Sequence, residues 1–327
     1  MSYSYPARTK SGFTRVTACL VIEGVNTNPN GDPADAGRPR QNTDANGIIS
    51  DVSIKRKIRD MLVNETPEAM KALKDMGLAP DQHQILLTKF DNESLEDRMR
   101  VLVGKASEAK TNNSMPYFDV RMFGFMGLAK NKTDKEDDKA ETKAKKKEAS
   151  QEKPPAYNCR GVAHFGMAVS LNKINITEHQ ITRCIGTGED SSGKDKDGAM
   201  GNKYTVDYGL YPMPLVMNAG LTQLADNLTR PTDIELLRRL CHGVFADSNS
   251  SVRQLNLVRF YWYEHSSTVN DIPDWCLQDI WRPRLKPNAV GNCREDYEFY
   301  DPANPTELAK KLLGDNVKHI HDFAVTL

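Results

Sequence analysis

The sequence predicts an α+β protein in which helices cover one face of a β-sheet. Three observations support this class. Apolar residues alternate with a β-type period in several stretches, two stretches have amphipathic helical spacing, and one late stretch is apolar on both faces. The elements follow in the order strand, loop and helix, insert, strand, hairpin, helix, strand. A chain of 327 residues can form one large domain or two small ones.

The composition excludes several classes of protein. Lys+Arg and Asp+Glu are balanced at 44 each, so a nucleic-acid surface would have to be a local patch. The six cysteines form no C-x-x-C pair, and no Walker A, G-x-S-x-G or H-E-x-x-H motif is present. His319 and His321 have no third ligand near them in sequence, so we expect a structural or surface role for both. The N-terminus lacks an apolar signal region, and no apolar run reaches about 18 residues. We therefore expect a cytoplasmic protein that needs no metal or cofactor.

The first strand is predicted from Phe13 to Glu23, and a long shaped loop follows it. From Asn26 onward, Asn-Pro, Asn-Gly and Asp-Pro pairs exclude a regular element. Long loops in compact domains are usually functional. Three of its carboxylates could act in metal-assisted phosphodiester cleavage or could simply form turns: Asp32, Asp35 and Asp44.

The loop leads into a basic helix. Ser50 or Asp51 can cap its start. An apolar stripe then follows at helical spacing, formed by Ile54, Ile58, Met61 and Leu62. Six basic and two acidic residues lie between Arg38 and Arg59, which gives a local charge of +4. A helix N-terminus with hydroxyls, and with basic side chains one turn later, can hold a phosphate. A solvated amphipathic helix is the alternative.

The middle of the chain combines helical spacing with an aromatic stretch. A second helix is predicted from Pro67 to Met76, and helical spacing continues from Asp81 to Gly104. The stretch from Ser114 to Gly127 loosely resembles an RRM stacking motif. The residues that match are Arg121, Phe123, Gly124 and Phe125. Packing of the two phenylalanines in the core is the alternative. Residues Lys130 to Pro155 are charged and of low complexity, and predict a mobile insert.

An extended hairpin is predicted after a strand that runs from Gly161 to Leu171. In that strand one face would carry Ala163, Phe165, Met167, Val169 and Leu171. Two β-rich arms then flank a polar, glycine-rich tip between Ile185 and Tyr204. Met200 is the one large apolar residue within this tip, and an apolar side chain on a protruding hairpin can insert between bases. A surface loop is the alternative.

The last third of the chain is predicted to contain a helix, a buried strand and a cover. Thr232 and Glu235 predict a capping box for a helix that runs to Phe245. The stretch from Leu255 to Tyr263 is apolar on both faces, which is typical of a central strand. We expect the tail to form an irregular cover with a short closing helix near Thr306 to Leu313.

Six motifs taken together resemble a known family. In chain order they are NTNPNGDP, ISDVSIKRKIRD, FDVRMFG, ITR before the polar tip, YGLY, and DIELLRRLCHGVFADSNSSVR. Each is weak alone, and the set is specific. The combination spans Thr14 to Glu264 and resembles the CRISPR-associated backbone subunit of type I Cascade, of a subtype I-C-like kind, in the RAMP superfamily.

The resemblance implies a fold and a division into parts. The fold is α+β, a modified RRM or ferredoxin-like palm with helical fingers and a protruding β-hairpin thumb. Residues 1–60, 157–180 and 209–327 would form the palm, and residues 61–128 the fingers. Residues 129–156 would form the mobile charged insert, and residues 181–208 the thumb hairpin.

The resemblance also implies a function. Subunits of this kind are not enzymes: they polymerise head to tail along a CRISPR guide RNA (crRNA), grip its phosphates and present it for pairing with target DNA in antiviral defence. The implied partners are the guide, the paired target DNA strand, further copies of the chain, an RNA-processing cap subunit and a large subunit, with no membrane. Type III relatives cleave target RNA with a loop Asp, so a metal-dependent endoribonuclease is the alternative function.

Carried over to this sequence, the resemblance assigns a set of residues to RNA binding. The basic helix and its start would hold guide phosphates, and the loop asparagines would lie near the guide. Met200 and Lys203 would meet a displaced base. The full set is Asn28, Asn30, Arg38, Ser50, Ser53, Lys55, Arg56, Arg59, Arg121, Arg183, Met200 and Lys203.

Overall fold

The structure is a computed structural model that describes residues 12–88, 117–127, 157–182, 200–223, 229–246, 250 and 252–324. The predicted insert at 129–156, the hairpin tip at 183–199 and most of the stretch from Asp81 to Gly104 lie outside these residues.

The described residues form twelve strands: β1 (Val16–Thr27), β2 (Asn46–Ile49), β3 (Phe125–Gly127), β4 (Tyr157–Cys159), β5 (Ala163–Phe165), β6 (Ala168–Lys173), β7 (Ile176–Thr182), β8 (Met200–Met217), β9 (Leu255–Glu264), β10 (Arg284–Leu285), β11 (Tyr297–Glu298) and β12 (Ile320–Asp322). They also form six α-helices: α1 (Asp51–Val63), α2 (Pro67–Asp75), α3 (Phe118–Phe123), α4 (Pro231–His242), α5 (Asp274–Trp281) and α6 (Glu307–Leu313). In the described part of the chain, none of these helices combines the length and apolar character needed to cross a bilayer.

Six of the strands form one antiparallel sheet, which confirms the α+β class. The order is β12-β9-β1-β8-β5, and β7 pairs with the far end of β8. One part of β8 pairs with β1, from Val206 to Met217, and the other part pairs with β7, from Met200 to Val206. The two arms of the predicted hairpin are therefore β7 and the first part of β8, and the second arm continues directly into the central sheet.

One face of the sheet is covered by the helices that the apolar periodicity predicts. The stripe of α1 is buried at Ile54, Ile58, Met61 and Leu62. The apolar residues predicted to form the core face of the later helix lie in α4 and just after it, and they share one buried cluster with the α1 stripe: Ile234, Leu237, Leu240, Val244 and Phe245. α2 packs against α4 beside them. Burial of these stripes fixes α1 across the sheet and places its first turn near the loop that precedes it.

The other face is also covered by helices, so the prediction of helices on one face only is wrong. Because β1 and β9 are apolar on both sides, their second face needs a partner, and the tail supplies it. Cys19 and Tyr261 of the sheet share a buried cluster with Trp281 of α5 and Leu313 of α6. The rings of Tyr261 and Trp281 stack with centroids 5.8 Å apart. The closing helix is confirmed as α6, with Thr306 as its cap.

The strand predicted from Gly161 to Leu171 is in fact two strands, β5 and β6. Gly166 N donates to Pro214 O at 2.8 Å, and a Cβ at Gly166 would lie 2.6 Å from Pro214 Cγ. This close approach breaks the strand and shifts its alternation by one residue. Ala168 and Ser170 are therefore buried, whereas Met167 and Val169 are 62% and 40% exposed, contrary to the predicted face.

The capping box predicted for Thr232 and Glu235 is not formed at the start of α4; only one half of a box is present, and other residues supply it. The cap is Arg230, and its backbone N donates to Asp233 Oδ2 at 2.9 Å. Glu235 instead accepts from Arg238 and Arg239 of the next turn. Pro231 at the first helical position moves the helix start one residue before the predicted cap, so the acid three residues after the true cap is Asp233.

Candidate nucleic-acid interface

The loop between β1 and α1 is folded into a narrow ribbon. Backbone bridges join Gly31 to Pro39 and Gln41 to Gly47. The ribbon is also tied at its base, because Ile48 N donates to the Arg40 carbonyl at 2.9 Å. The long loop that the sequence predicts is therefore a defined surface next to the start of α1.

Both asparagines assigned to RNA binding hold this ribbon in place. Asn28 is buried, and its Nδ2 donates to Gly37 O at 2.7 Å. Asn30 Oδ1 accepts from Ser50 N at 2.9 Å. The side chain of Asn30 thus connects the ribbon to the residue that caps α1. These contacts give both residues a part in shaping the site.

The acids of the loop, Asp32, Asp35 and Asp44, lie in turns, and Asp32 makes a turn contact through its carboxylate. Asp32 accepts from Ala34 N at 3.0 Å at the start of a 3-10 turn, and it lies 3.1 Å from Arg40 Nη1. Asp44 N donates to Asn42 Oδ1 at 3.0 Å. Among the residues that the structure describes, no group of three or more His, Cys, Asp or Glu is arranged to hold a metal ion.

Arg38 brings the loop and the hairpin arms together. Its Nη2 lies 3.7 Å from Glu178 Oε2 of β7, and its guanidinium carbon lies 4.7 Å from the centroid of the Tyr204 ring in β8. The strand register pairs Glu178 with Tyr204, which puts both on one face of the hairpin. Sequence analysis missed these two partners, although alternation along the arms would have placed them together. The Arg38 side chain is 45% exposed, so a ligand can still reach it.

Lys203 lies on the opposite face of the hairpin from Tyr204. It pairs in register with His179, whose Nε2 lies 2.9 Å from Thr205 Oγ1. Met200 is the first residue of β8 and pairs in register with Thr182, so its backbone belongs to a hairpin arm rather than to the predicted tip. The assignment of Met200 and Lys203 to a displaced base stays a prediction. Arg183 lies outside the described residues.

Three basic side chains of α1 are paired with carboxylates. Lys55 lies 2.7 Å from Asp51, Arg56 lies 2.7 Å from Asp60, and Arg59 lies 3.1 Å from Asp119. The local charge of +4 counts residues from 38 to 59 and leaves out Asp60 and Asp119, so it overstates the field of the folded site.

Arg59 joins α1 to α3. Its side chain is 12% exposed, and its guanidinium carbon lies 5.3 Å from the centroid of the Phe123 ring. Asp119, its partner, is fully buried and also accepts from Leu86 N and Leu87 N. We therefore correct the assignment of Arg59 to guide phosphates: its position makes it an internal connection.

Arg121 is also an interior residue, which corrects its assignment to RNA binding. It is 1% exposed and donates to both carboxylate oxygens of Asp233, at 2.8 and 2.7 Å. Burial alone would raise the pKa of Asp233, but the contacts with His83 and Arg121 lower it to about 2. The neighbouring aromatics belong to the core, as the alternative to an RRM motif predicts: Phe125 is buried, and Phe123 packs against the main cluster.

Comparison with known proteins identifies the family. The chain matches the family model for CRISPR-associated protein Cas7 over residues 14–300. It is similar to a CRISPR-associated protein Cas7 of Haloferax volcanii, with 29% identity over 251 residues, 74% of this chain and 67% of the relative. It is also similar to a chain of a pre-nicking CRISPR RNA-guided surveillance complex, with a TM-score of 0.41, 10% identity, and coverage of 79% of this chain and 80% of the other. A chain of a second CRISPR RNA-guided surveillance complex is similar with a TM-score of 0.35 and 13% identity, and the match covers 77% of this chain and 72% of the other. The family match agrees with the resemblance that the sequence motifs carry, and because it spans most of the chain, the protein belongs to the CRISPR-associated Cas7 family.

Proposed function

We propose that this chain is a non-catalytic backbone subunit of a type I CRISPR surveillance (Cascade) complex, and that it binds guide RNA. Membership of the Cas7 family, over residues 14–300, carries the proposal. The ribbon after β1, the start of α1 and the hairpin arms supply a surface that suits this role. The turn-forming geometry of Asp32 supports a subunit that holds RNA without cutting it.

The central sheet supports an RRM-like palm. Along the chain, β1, α1, β5, β8, α4 and β9 follow as strand, helix, strand, strand, helix, strand, and the sheet order is β9-β1-β8-β5. This βαββαβ path is that of the ferredoxin-like class. We assign the thumb to 181–208 and the fingers to 61–128. Residues 200–205 of β8 pair with β7 and not with β1, which supports a hairpin that leaves the central sheet near this segment. Residues 1–60, 157–180 and 209–327 form the palm.

The grip on the guide would lie where the ribbon, the helix start and the hairpin meet. Arg38 contacts both hairpin arms, and Ser50 and Ser53 stand at a helix N-terminus that favours an anion. Lys203 adds a cation to the hairpin. Lys55 and Arg56 would have to leave their carboxylate partners to reach a phosphate, so we give them a secondary part. Contacts of this kind hold phosphates without reading bases, so one protein can bind any guide.

Repetition along the guide would complete the function. Identical copies that contact each other head to tail form an open helical filament, because such an interface does not close. Base pairing between guide and target DNA would then read sequence, while the protein holds the backbone. A cap subunit and a large subunit would bind the ends of this filament in the cytoplasm.

The salt dependence of guide binding tests the proposal. Replacement of Arg38 and Lys203 by Ala should weaken binding and lower the slope of log K against log salt by about 1.4, because each lost contact to single-stranded RNA removes about 0.7. The matched control replaces Arg284 and Lys310, which are 58% and 52% exposed and paired with carboxylates in the tail. An unchanged slope in the Arg38 and Lys203 variant would rule out this grip.

A further inference from the structure

The tail contains a loop that closes on itself and contacts the root of the hairpin. We call residues 284–298 the tail loop, which begins with β10 and ends with β11. These two strands pair with each other. Between them, Asp296 Oδ2 accepts from Gly291 N at 2.8 Å and from Asn292 N at 3.0 Å. The internal bonds give the tail loop a defined shape.

The tail loop contacts the first arm of the hairpin near its root. The Tyr297 hydroxyl donates to Asn172 Oδ1 at 2.8 Å, and Asn172 Nδ2 donates to Gly291 O at 3.0 Å. Asn172 lies in β6, four residues before β7 begins at Ile176. β6 also pairs with β2, which includes Ile48 at the base of the ribbon. The two bonds therefore hold a strand that connects the ribbon to the first arm.

The tail loop also contacts the second arm, at the point where β8 enters the central sheet. The ring of Tyr297 stacks on the ring of Tyr208, with centroids 6.3 Å apart and planes inclined by 25°. Tyr208 lies two residues after Val206, the residue of β8 that pairs with both β7 and β1. Both tyrosine rings are buried. The single side chain of Tyr297 thus contacts the roots of both arms.

A buried carboxylate attaches the tail loop to the central sheet. Glu23 of β1 is 3% exposed. Its carboxylate accepts from Arg294 Nε at 3.1 Å and also from Arg294 Nη2. The Tyr208 hydroxyl donates to the same carboxylate at 3.3 Å. Because an ionised carboxylate is costly to bury without a partner, Arg294 keeps the tail loop against β1.

The tail loop connects the two parts of the proposed grip through the interior. On the surface, the ribbon and the hairpin meet where Arg38 Nη2 lies 3.7 Å from Glu178 Oε2, and both side chains are nearly half exposed. An exposed pair of this kind contributes little to stability. The relative position of the ribbon and the arms therefore depends on how their roots are held, and the tail loop contacts the roots of both arms.

We propose that Tyr297 and Arg294 are positioning residues for guide RNA binding. The tail loop holds the ribbon and the hairpin arms in the arrangement that grips RNA before any RNA is bound. A grip that is already formed lowers the conformational cost of binding. Neither residue has to touch the RNA. The identity of the ligand rests on the proposed function, whereas the hold of the tail loop on the arms does not.

The salt dependence of RNA binding separates positioning from direct contact. The slope of log K against log salt reflects the phosphate contacts in the complex, whereas a positioning residue changes the fraction of free protein that is ready to bind. Tyr297→Phe keeps the ring and removes only the hydroxyl. It should raise the Kd for a guide-length oligoribonucleotide about two- to fivefold, the effect of one lost hydrogen bond, without a change in slope.

A double variant tests Arg294 in the same binding experiment. Glu23→Gln combined with Arg294→Met removes the ion pair without leaving a buried charge. It should raise the Kd by at least as much as Tyr297→Phe, again with an unchanged slope. The Arg294 side chain is 48% exposed, so a direct phosphate contact is the alternative. That contact would lower the slope by about 0.7 in the double variant, which would overturn the positioning role of Arg294.

Hydrogen–deuterium exchange of the free full chain reports on the arms themselves. In Tyr297→Phe, the amides of β7 and of residues 200–206 should exchange up to about fivefold faster than in the parent chain, whereas those of β9 should not change. The matched control is Tyr300→Phe. Tyr300 is also a buried tyrosine of the tail, and its hydroxyl has no hydrogen-bond partner among the described residues. This variant should leave both the Kd and the exchange of the arms unchanged.

The outcomes distinguish the positioning role from the proposed function. An unchanged Kd, or unchanged exchange in the arms, for Tyr297→Phe relative to Tyr300→Phe would overturn the positioning role and leave the proposed function standing. A parent chain that binds no RNA would contradict the proposed function. The exchange experiment would then decide the remaining claim: faster exchange in Tyr297→Phe would support the hold of the tail loop on the arms, and unchanged exchange would overturn it.

Discussion

Removal of the buried cation Arg121 should destabilise the protein without directly weakening RNA binding. In the folded chain Arg121 makes two hydrogen bonds to Asp233, which is fully buried. Arg121→Met would leave Asp233 with His83, 3.6 Å away, and with the backbone N of Arg230 at 2.9 Å. A buried charge that loses its partner costs about 3–5 kcal/mol in the free energy of unfolding.

The pKa of Asp233 gives a second measure of the same interaction. Its folded-state pKa is about 2, against a reference value of 3.8. A difference of nearly two pKa units corresponds to about 2 kcal/mol of stability from the ionised carboxylate. Because the folded pKa is lower than the unfolded one, this stability is present above pH 3.8 and is lost as the pH falls through about 2. Between pH 3.8 and about 2, Arg121→Met should therefore lose less stability than the parent chain.

Urea unfolding of the purified chain measures the effect. The midpoint for Arg121→Met should fall by an amount that corresponds to about 3–5 kcal/mol with an unchanged m-value. Arg284→Met is the control, since its exposed pair with Asp279 should contribute less than about 1 kcal/mol. Unchanged stability together with weaker RNA binding by the folded variant would refute the structural role and restore Arg121 to the RNA surface.

Two further predictions concern the loop acids and the tail. A complementary RNA is incubated with the assembled complex and Mg²⁺ and analysed on a denaturing gel. We expect the RNA to stay equally intact with the parent chain and with Asp32→Asn. Cleavage at regular intervals by the parent that disappears in the variant would instead support the endoribonuclease. Trp281→Ala should lower the free energy of unfolding by about 3–5 kcal/mol, because the Trp281 ring is fully buried and stacks on Tyr261. The control is Trp275→Ala in the same helix, where the side chain is 69% exposed. In the same denaturation experiment it should change the free energy of unfolding by less than about 0.5 kcal/mol.

Local periodicity predicted the elements whose burial is decided within their own segment. The stripe of α1 and the two-sided burial of β9 follow from spacing alone, because each is imposed by the helical or strand repeat. The break at Gly166 does not, since it depends on Pro214, which approaches from a strand some 48 residues away along the chain. The covering of the second face of the sheet by the tail was likewise not predicted, because its helix α5 is only eight residues long and therefore too short for a clear apolar repeat.

The functional assignments were also limited by contacts between residues that are distant in sequence. A motif can indicate that a basic residue is near a site, but its charge partner decides whether it is available to a ligand. The partners of Arg59 and Arg121 lie 60 and 112 residues away in sequence, which no local window includes.

A footprint of the chain assembled on guide RNA tests the central claim most directly. We predict that RNA protection repeats at a constant interval and that the number of bound copies rises in proportion to guide length, because each copy would grip one segment of backbone and contact the next copy. A single protected patch, with a stoichiometry that does not change as the guide is lengthened, would contradict the assignment of this chain as a repeating guide-binding subunit.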